Sequence, residues 1–228
     1  SKIRYYNDIR ILSELEYIAK KVKEKSLDME IVEFADPNFG MYKQDTQIFK
    51  HIRSIQDKYD YPKYVFSSSG KSQPERVLSN SKILKEGSMV LRAAVQSMNA
   101  STLKSIDRTN LPKDVFKKLS KESIDTYAET MLALPNETKK TYIDGICELV
   151  DAGIDEFSNH QTIILKGTPM EFDEYKKKYG MKTKYRIIAE CDGSYELAGV
   201  KKRITETEQI VYETNTLPYN EYLKCRNF

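Results

Sequence analysis

The sequence has no tryptophan, and among its 228 residues it has only three cysteines and two histidines. Cys147, Cys191 and Cys225 stand far apart without a CxxC pair, and their odd number argues against a disulfide framework. His51 and His160 do not stand at a metal-ligand spacing from any cysteine, so we expect a surface position for His51 and a structural or solvent-facing one for His160. The residues predict isolated thiols and no metal site.

Long hydrophobic runs and a charge of one sign are missing as well. No apolar run approaches the roughly 20 residues that span a bilayer, and the beginning does not resemble a signal peptide, so we expect a cytoplasmic protein. The 37 basic and 34 acidic residues are well mixed and give a net charge of +3, which gives little reason to expect nucleic acid as the main partner. We expect no membrane partner either. A chain of this length can bury a sizeable core.

The apolar pattern predicts strands that alternate with helices at intervals of roughly thirty residues, as in right-handed βαβ units around a parallel sheet. The fold class is therefore α/β. The five predicted strands are Met29–Asp36, Tyr64–Ser69, Met89–Val95, Tyr127–Leu134 and Ile154–Asn159. This rhythm ends near residue 180, and residues 181–228 alternate extended and polar character in Lys184–Glu190, Ile204–Glu213 and Asn220–Phe228. We therefore divide the chain into a barrel-like domain, 1–180, and a C-terminal extension, 181–228.

The stretch from Tyr127 to Thr138 predicts a strand, a tight turn at Pro135-Asn136 and a helix that begins near Thr138. Such a joint places backbone N–H groups and the positive end of a helix dipole at the carboxyl end of a strand. A barrel or an open sheet binds its ligands there. The joint is thus a candidate cofactor site.

Polar residues follow four successive predicted strands, where a parallel barrel would bring them to one face. They are Asp36 and Asn38, then Ser67 to Lys71, then Gln96, Ser97 and Asn99, and finally Asn136 and Glu137. The alternative is ordinary turn chemistry, because Asp, Asn, Ser and Gly favour turns for local reasons. A serine hydrolase is excluded for want of a GxSxG elbow. A phosphate-binding loop ending in Gly70-Lys71-Ser72 is excluded because Val65 stands where its first glycine belongs.

Several segments, taken in order, resemble the radical S-adenosylmethionine (SAM) enzymes, and within them the group that often carries an N-terminal cobalamin-binding domain. These segments are Ser1–Tyr6, Phe34–Phe39, Val95–Asn99 with Thr102, Leu103 and Arg108, Leu134–Thr138, Gly167–Pro169 and the tail Thr205–Phe228. The resemblance implies a partial TIM-type (β/α)6 barrel that holds a [4Fe-4S] cluster and SAM at the carboxyl ends of its strands. Reduction of the cluster would release a 5′-deoxyadenosyl radical from SAM, and cobalamin would make the enzyme a methyltransferase or a related carbon-skeleton enzyme.

The resemblance also implies which residues bind SAM. Asp36 and Asn38 match the positions near its methionine end, and Gln96 and Ser97 match those near its ribose. Arg108 is a candidate for its carboxylate. The adenine-binding motif corresponds to Leu132 to Leu134 with Pro135, so that Leu132, Leu134 and Pro135 complete the expected cofactor site. These assignments are chemically reasonable, because carboxylates and amides bind an ammonium, polar groups bind a ribose and an apolar edge binds a purine.

One feature departs from the family: the CxxxCxxC loop that binds the cluster is absent, and no other cysteine trio has ligand spacing. Since the chain begins without methionine, we expect a fragment downstream of that loop, lacking the first barrel strand and inactive alone. Its expected partners are the upstream cluster loop, a cobalamin-binding domain and an electron donor. The substrate and the catalytic residues cannot be assigned.

Two alternatives stay open. One is a noncatalytic α/β module that binds a nucleotide-like ligand or a protein partner. The other is a metal-independent barrel enzyme, for which Glu129 and Asp36 are the best acid and base candidates.

Overall fold

The structure is a computed structural model that describes residues 6–36, 38–67, 73–89, 91–110, 113–121 and 126–228. Its helices are α1 (Asp8–Glu24), α2 (Asp45–Tyr59), α3 (Pro74–Ser81), α4 (Ala100–Ser105), α5 (Lys113–Lys121), α6 (Lys139–Asp151), α7 (Asp173–Tyr179) and α8 (Tyr219–Arg226). Its strands are β1 (Ile31–Phe34), β2 (Tyr64–Ser67), β3 (Leu91–Gln96), β4 (Thr126–Leu132), β5 (Glu156–Gln161), β6 (Lys182–Leu197) and β7 (Val200–Glu213). A single 3-10 turn at Pro169–Glu171 precedes α7.

The strands form three sheets among the described residues. β1 and β2 pair in parallel, β3, β4 and β5 lie side by side in chain order, and β6 and β7 form an antiparallel hairpin. Strands that alternate with helices confirm the predicted α/β class. These sheets do not close into a barrel within the described part of the chain, so the predicted partial TIM barrel is not confirmed.

The chain divides into two compact units. The first comprises residues 1–94, 111–129 and 149–157, and the second comprises residues 95–110, 130–148 and 158–228. The predicted boundary after residue 180 falls inside the second unit and stays a prediction. The strands β3, β4 and β5 each contribute residues to both units.

The core of the first unit is centred on α2. Phe49, Ile52 and Ile55 recur at helical spacing and are at most 1% exposed. α1 packs beside α2 through Leu15 and its neighbours, and the Asn7 side chain caps α1 by accepting a hydrogen bond from the Ile9 amide at 2.9 Å. The apolar side chains of α1 are only partly buried, because Ile9 is 75% exposed.

The core of the second unit gathers residues from β4, α6, β7 and α8. Its buried members include Leu132, Tyr142, Val211, Tyr222 and Cys225. β7 contributes Val211 to this core, and its Ile210 forms an isolated antiparallel bridge with Ile163. The residues after 180 are therefore part of the packing of this unit.

The hairpin of β6 and β7 is longer than the extended segments that the sequence predicted, and most of its side chains are exposed. Ala198 and Gly199, both at positive φ, make its two-residue turn. The grouping of Asn220–Phe228 with the extended segments is wrong, because Tyr219–Arg226 is helical. This helix buries Tyr222 and Cys225 one turn apart on the core, and two buried positions give too weak a periodic signal to read from sequence.

One further expectation, for His51 in the first unit, is met only in part. The His51 side chain is 26% exposed, and its Nε2 lies 2.9 Å from the Leu12 carbonyl oxygen. None of the helices in the described ranges is long and apolar enough to cross a membrane.

Candidate functional site

The predicted strand–turn–helix joint is present in the second unit. β4 ends at Leu132, the turn follows, and α6 begins at Lys139. Thr138 and Thr141 close the start of α6 with a reciprocal capping pair, in which the Thr141 amide donates to Thr138 Oγ1 at 3.1 Å and the Thr138 amide donates to Thr141 Oγ1 at 2.9 Å. The beginning of the helix is thus fixed by two hydroxyl groups.

Two neighbouring strands meet at this joint. β3 and β4 are adjacent in their sheet, and the Ser97 hydroxyl just beyond β3 donates a short hydrogen bond to the Glu137 carboxylate just beyond β4. The Thr141 hydroxyl donates to the other oxygen of the same carboxylate at 2.5 Å. Of the strand-end groups that the sequence predicted to converge, Ser97 and Glu137 are therefore in direct contact.

Glu137 is completely buried. Burial raises the pKa of its carboxyl above the usual range, and hydrogen bonds from hydroxyl groups, Ser97 first, offset part of that rise. Among the described residues, the partners of the carboxylate are hydroxyl groups. Hydrogen bonds from hydroxyl groups therefore hold this buried carboxyl group in place.

The segment after β3 is held by a set of local hydrogen bonds. Ser97 Oγ accepts from the Asn99 amide at 3.0 Å, and Asn99 Oδ1 in turn caps α4 by accepting from the Ser101 and Thr102 amides. Asn110 Nδ2 donates to the Ser97 carbonyl at 2.6 Å. Ser97 is 5% exposed, and its hydroxyl group already donates to the Glu137 carboxylate.

Gln96 differs from Ser97, because it is half-buried and has a left-handed backbone with φ of 60°. A residue other than glycine rarely adopts this conformation without support from its surroundings. Ala133 and Asn136, which follow β4, are also left-handed, with φ of 68° and 62°. Left-handed backbone conformations at residues other than glycine therefore occur at or just after the ends of both β3 and β4.

The residues expected to contact adenine are buried. Leu132 is 5% exposed and Leu134 is 1% exposed, and Pro135 is also buried. The Leu132 carbonyl accepts from the Thr162 amide at 3.1 Å, and the Pro135 carbonyl accepts from Ser105 Oγ at 3.0 Å. Their side chains fill the protein interior, so they shape the joint from within.

Arg108 is exposed and lines an open cavity of about 510 Å³ beside α4. The cavity also contacts Lys104, Asp107 and Asn110. Asn110 connects this cavity to the segment after β3, since its amide donates to the Ser97 carbonyl. A cation beside a wide opening can bind an anionic group.

Asp36 and Asn38 belong to the first unit, at the carboxyl end of β1. The Asn38 amide donates to Asp36 Oδ1 at 2.9 Å, which is the local turn chemistry that the sequence left open. The loop is anchored by Asp45, which sequence reasoning missed: its Oδ2 accepts from the Gly40 amide at 2.8 Å and from the Tyr42 amide at 3.0 Å. Burial raises the pKa of the Asp45 carboxyl, although these backbone donors oppose the rise.

Some predicted strand-end residues are described only in part. Ser67 is 1% exposed, at the end of β2. Residues 68–72, which include Lys71, lie outside the described residues. Within the described ranges, no three His, Cys, Asp or Glu side chains are grouped so that they could hold a metal ion.

No family model matches the chain. Two curated relatives align with all of it. The cobalamin-dependent radical SAM methyltransferase TokK of Streptomyces tokunonensis is 28% identical over 240 residues. The 2-(S-pantetheinyl)-carbapenam-3-carboxylate methyltransferase of Streptantibioticus cattleyicolor is also 28% identical over 240 residues.

The alignments cover 100% of this chain and 33% of each relative, so the chain spans about a third of the length of the curated relatives it matches. The resemblance to radical SAM enzymes of the cobalamin-associated group is confirmed by this similarity. The reaction of each relative belongs to a protein three times as long.

Proposed function

We propose that this chain is part of the core of a cobalamin-dependent radical SAM methyltransferase. The observation that carries the proposal is the alignment of the whole chain, both compact units included, with TokK. The convergence of the ends of β3 and β4 on Ser97 and Glu137 supports it, because that is where the resemblance locates the SAM site. The resemblance implies a partial TIM-type barrel for the full-length protein, and we place that protein in the cytoplasm.

In this proposal SAM binds along the carboxyl ends of β3 and β4. Gln96, half-buried at the end of β3, offers an amide to the ribose hydroxyls. The Ser97 hydroxyl is already used by Glu137, so Ser97 contributes by fixing the position of Gln96. The resemblance assigns Leu132, Leu134 and Pro135 to the adenine end, where their buried side chains support the turn from inside.

The charged ends of SAM need partners of opposite charge. Arg108 is exposed beside its cavity and would bind the carboxylate of the methionine moiety. Asp36 and Asn38, at the end of β1, would bind its ammonium group. The assignment of Arg108 comes from the resemblance and from its exposure, and the assignment of Asp36 and Asn38 comes from the resemblance alone.

The described residues do not fit an iron–sulfur cluster, which needs clustered thiolates. Cys147 and Cys225, the two cysteines of the second unit that belong to helices, differ in burial and are not part of any ligand group. The proposal therefore requires cluster ligands, a cobalamin domain and an electron donor from outside these residues. In radical SAM enzymes the reduced cluster and SAM together supply a 5′-deoxyadenosyl radical.

The SAM site can be tested by equilibrium binding of S-adenosylhomocysteine to the full-length parent protein, using calorimetry. We expect Gln96→Ala and Arg108→Ala each to weaken binding by about tenfold, since each removes one polar contact worth roughly 1.4 kcal/mol. Tyr222→Phe is the matched control, because it removes a hydrogen bond to Gln161 elsewhere in the second unit. Unchanged affinity in both alanine variants would contradict these assignments, and absence of binding by the wild type would contradict the site itself.

A further inference from the structure

We propose that Glu137 is a positioning residue that sets the spacing between the Gln96–Ser97 segment and the turn at Leu134–Pro135. This inference rests on the proposed function, because those two segments are the ones assigned to SAM. Glu137 itself is completely buried and does not contact the ligand in this account. Its effect is exerted through the residues that it holds.

The side chain of Glu137 joins two parts of the chain that are distant in sequence. One carboxylate oxygen accepts from Ser97, forty residues earlier, and the other accepts from Thr141 on the first turn of α6. Ser97 is the residue directly after Gln96, so the position of the Gln96 amide depends on this hydrogen bond. The carboxylate is thus a bridge between the end of β3 and the start of α6.

The backbone of Glu137 provides a third anchor. Its carbonyl accepts from Thr216 Oγ1 at 2.7 Å, and its amide donates to the Leu134 carbonyl at 3.2 Å. Thr216 follows β7, in the region that the sequence suggested is an accessory extension. One residue therefore holds together the β3 end, the β4–α6 turn and the segment after the hairpin.

A chain that needed only stability at this position would gain more from an apolar side chain. Removing a carboxyl group from water is costly, and among the described residues hydroxyl groups offset that cost. Two hydroxyl donors aimed at opposite oxygens do, however, restrict the orientation of the carboxylate. The arrangement therefore fixes the distance between the segment after β3 and the turn after β4, as a ligand site built from two loops requires.

The test compares variants of the full-length protein by two readouts, the dissociation constant for S-adenosylhomocysteine and the temperature of thermal unfolding. Glu137→Ala removes the bridge, and Thr141→Val removes one donor without changing any residue assigned to SAM. Glu137→Gln keeps the length and one carbonyl acceptor for Ser97, so it should restore the geometry. Tyr222→Phe again serves as control, because Tyr222 is buried and loses a hydrogen bond of 2.6 Å to Gln161.

We expect Glu137→Ala to weaken binding by about tenfold or more, as is usual for residues that position the ligand-contacting residues without touching the ligand. Thr141→Val should weaken it by several-fold, and Glu137→Gln should stay within about threefold of the wild type. Tyr222→Phe should lower the unfolding temperature and leave the dissociation constant unchanged. If Glu137→Ala does not fold, Thr141→Val and Glu137→Gln decide the question.

Two results would overturn the inference alone. Either Glu137→Ala and Thr141→Val bind as tightly as the wild type, or every variant, the Tyr222 control included, weakens binding in proportion to its loss of thermal stability. Failure of the wild type to bind, by contrast, would contradict the proposed function. The binding of the wild type thus separates the two failures.

Discussion

Thr216 donates its side-chain hydroxyl to the Glu137 carbonyl at 2.7 Å, which joins the segment after β7 to the turn before α6. The two residues are 79 positions apart in the chain. Because the acceptor is the backbone of a completely buried residue, the hydrogen bond constrains the turn and not a mobile side chain. The residues after 180 therefore help to define the joint at which two strands end.

Replacing Thr216 by valine keeps the shape of the side chain and removes its hydroxyl. We expect the free energy of local opening of the turn to fall by about 1 kcal/mol, the usual net contribution of such a hydrogen bond. Hydrogen exchange followed by mass spectrometry on the full-length protein should show roughly fivefold faster exchange in peptides that cover residues 134–146. Thr207→Val, at an exposed position of β7, is the control and should change nothing. Equal exchange in both variants would show that the Thr216 contact does not constrain the turn.

The buried carboxyl of Glu137 predicts a dependence of stability on pH. Below its ordinary pKa of 4.5, the carboxyl is protonated in the folded and the unfolded states alike. Because burial raises the pKa in the folded state, the unfolded state ionises first as pH rises, and the folded state loses stability until the pH passes the raised value. The unfolding temperature of the wild type should therefore fall relative to that of Glu137→Gln as pH increases from 4.5. A difference that is constant with pH would mean that Glu137 ionises in the folded protein as it does in water.

Gly180 ends α7 with a left-handed backbone, φ of 57°. A Cβ added there would lie 1.8 Å from Asn215 Oδ1, so alanine would have to displace the Asn215 side chain. Gly199, in the hairpin turn, also has a positive φ, of 75°, but has open space around it. We expect Gly199→Ala to cost about 1 kcal/mol, the backbone term alone, and Gly180→Ala to cost about 1–3 kcal/mol more. Unfolding temperatures measured side by side test this, and equal losses would refute the predicted clash.

Cys225 and Cys147 should react very differently with alkylating agents. Cys225 is 4% exposed, and burial raises the pKa of its thiol to about 11, whereas Cys147 is exposed. At pH 8 only about one thousandth of Cys225 would be thiolate, and the thiolate is the reactive form. We expect iodoacetamide to modify Cys147 within minutes and Cys225 only on unfolding, as judged by mass spectrometry. Rapid modification of Cys225 in the native protein would show that α8 does not pack on the core.

Much of the fold was readable from the sequence, because it depends on local patterns. The run before Pro135 predicted β4 and its turn. The helix α8 was missed because only Tyr222 and Cys225 are buried along it. Closure of the strands into a barrel depends on pairings between distant segments, which local patterns do not determine.

The site was predicted less completely for the same reason. The sequence indicated polar residues at strand ends, and Ser97 and Glu137 do meet there. The parts played by Asp45, Thr141 and Thr216 depend on which backbone groups lie opposite them after folding. Asp45 and Thr141 stand near helix beginnings, where such residues are common for capping reasons alone, and nothing in the sequence distinguishes their additional contacts.

The central claim, that this chain belongs to the core of a radical SAM enzyme, is tested most directly by 5′-deoxyadenosine formation. The full-length parent protein is reconstituted anaerobically with iron and sulfide, supplied with cobalamin, a strong reductant and SAM, and assayed by chromatography and mass spectrometry. The account predicts 5′-deoxyadenosine, reduced by about tenfold or more in Glu137→Ala and retained in Tyr222→Phe. A folded protein that binds neither iron–sulfur cluster nor SAM under these conditions would contradict it.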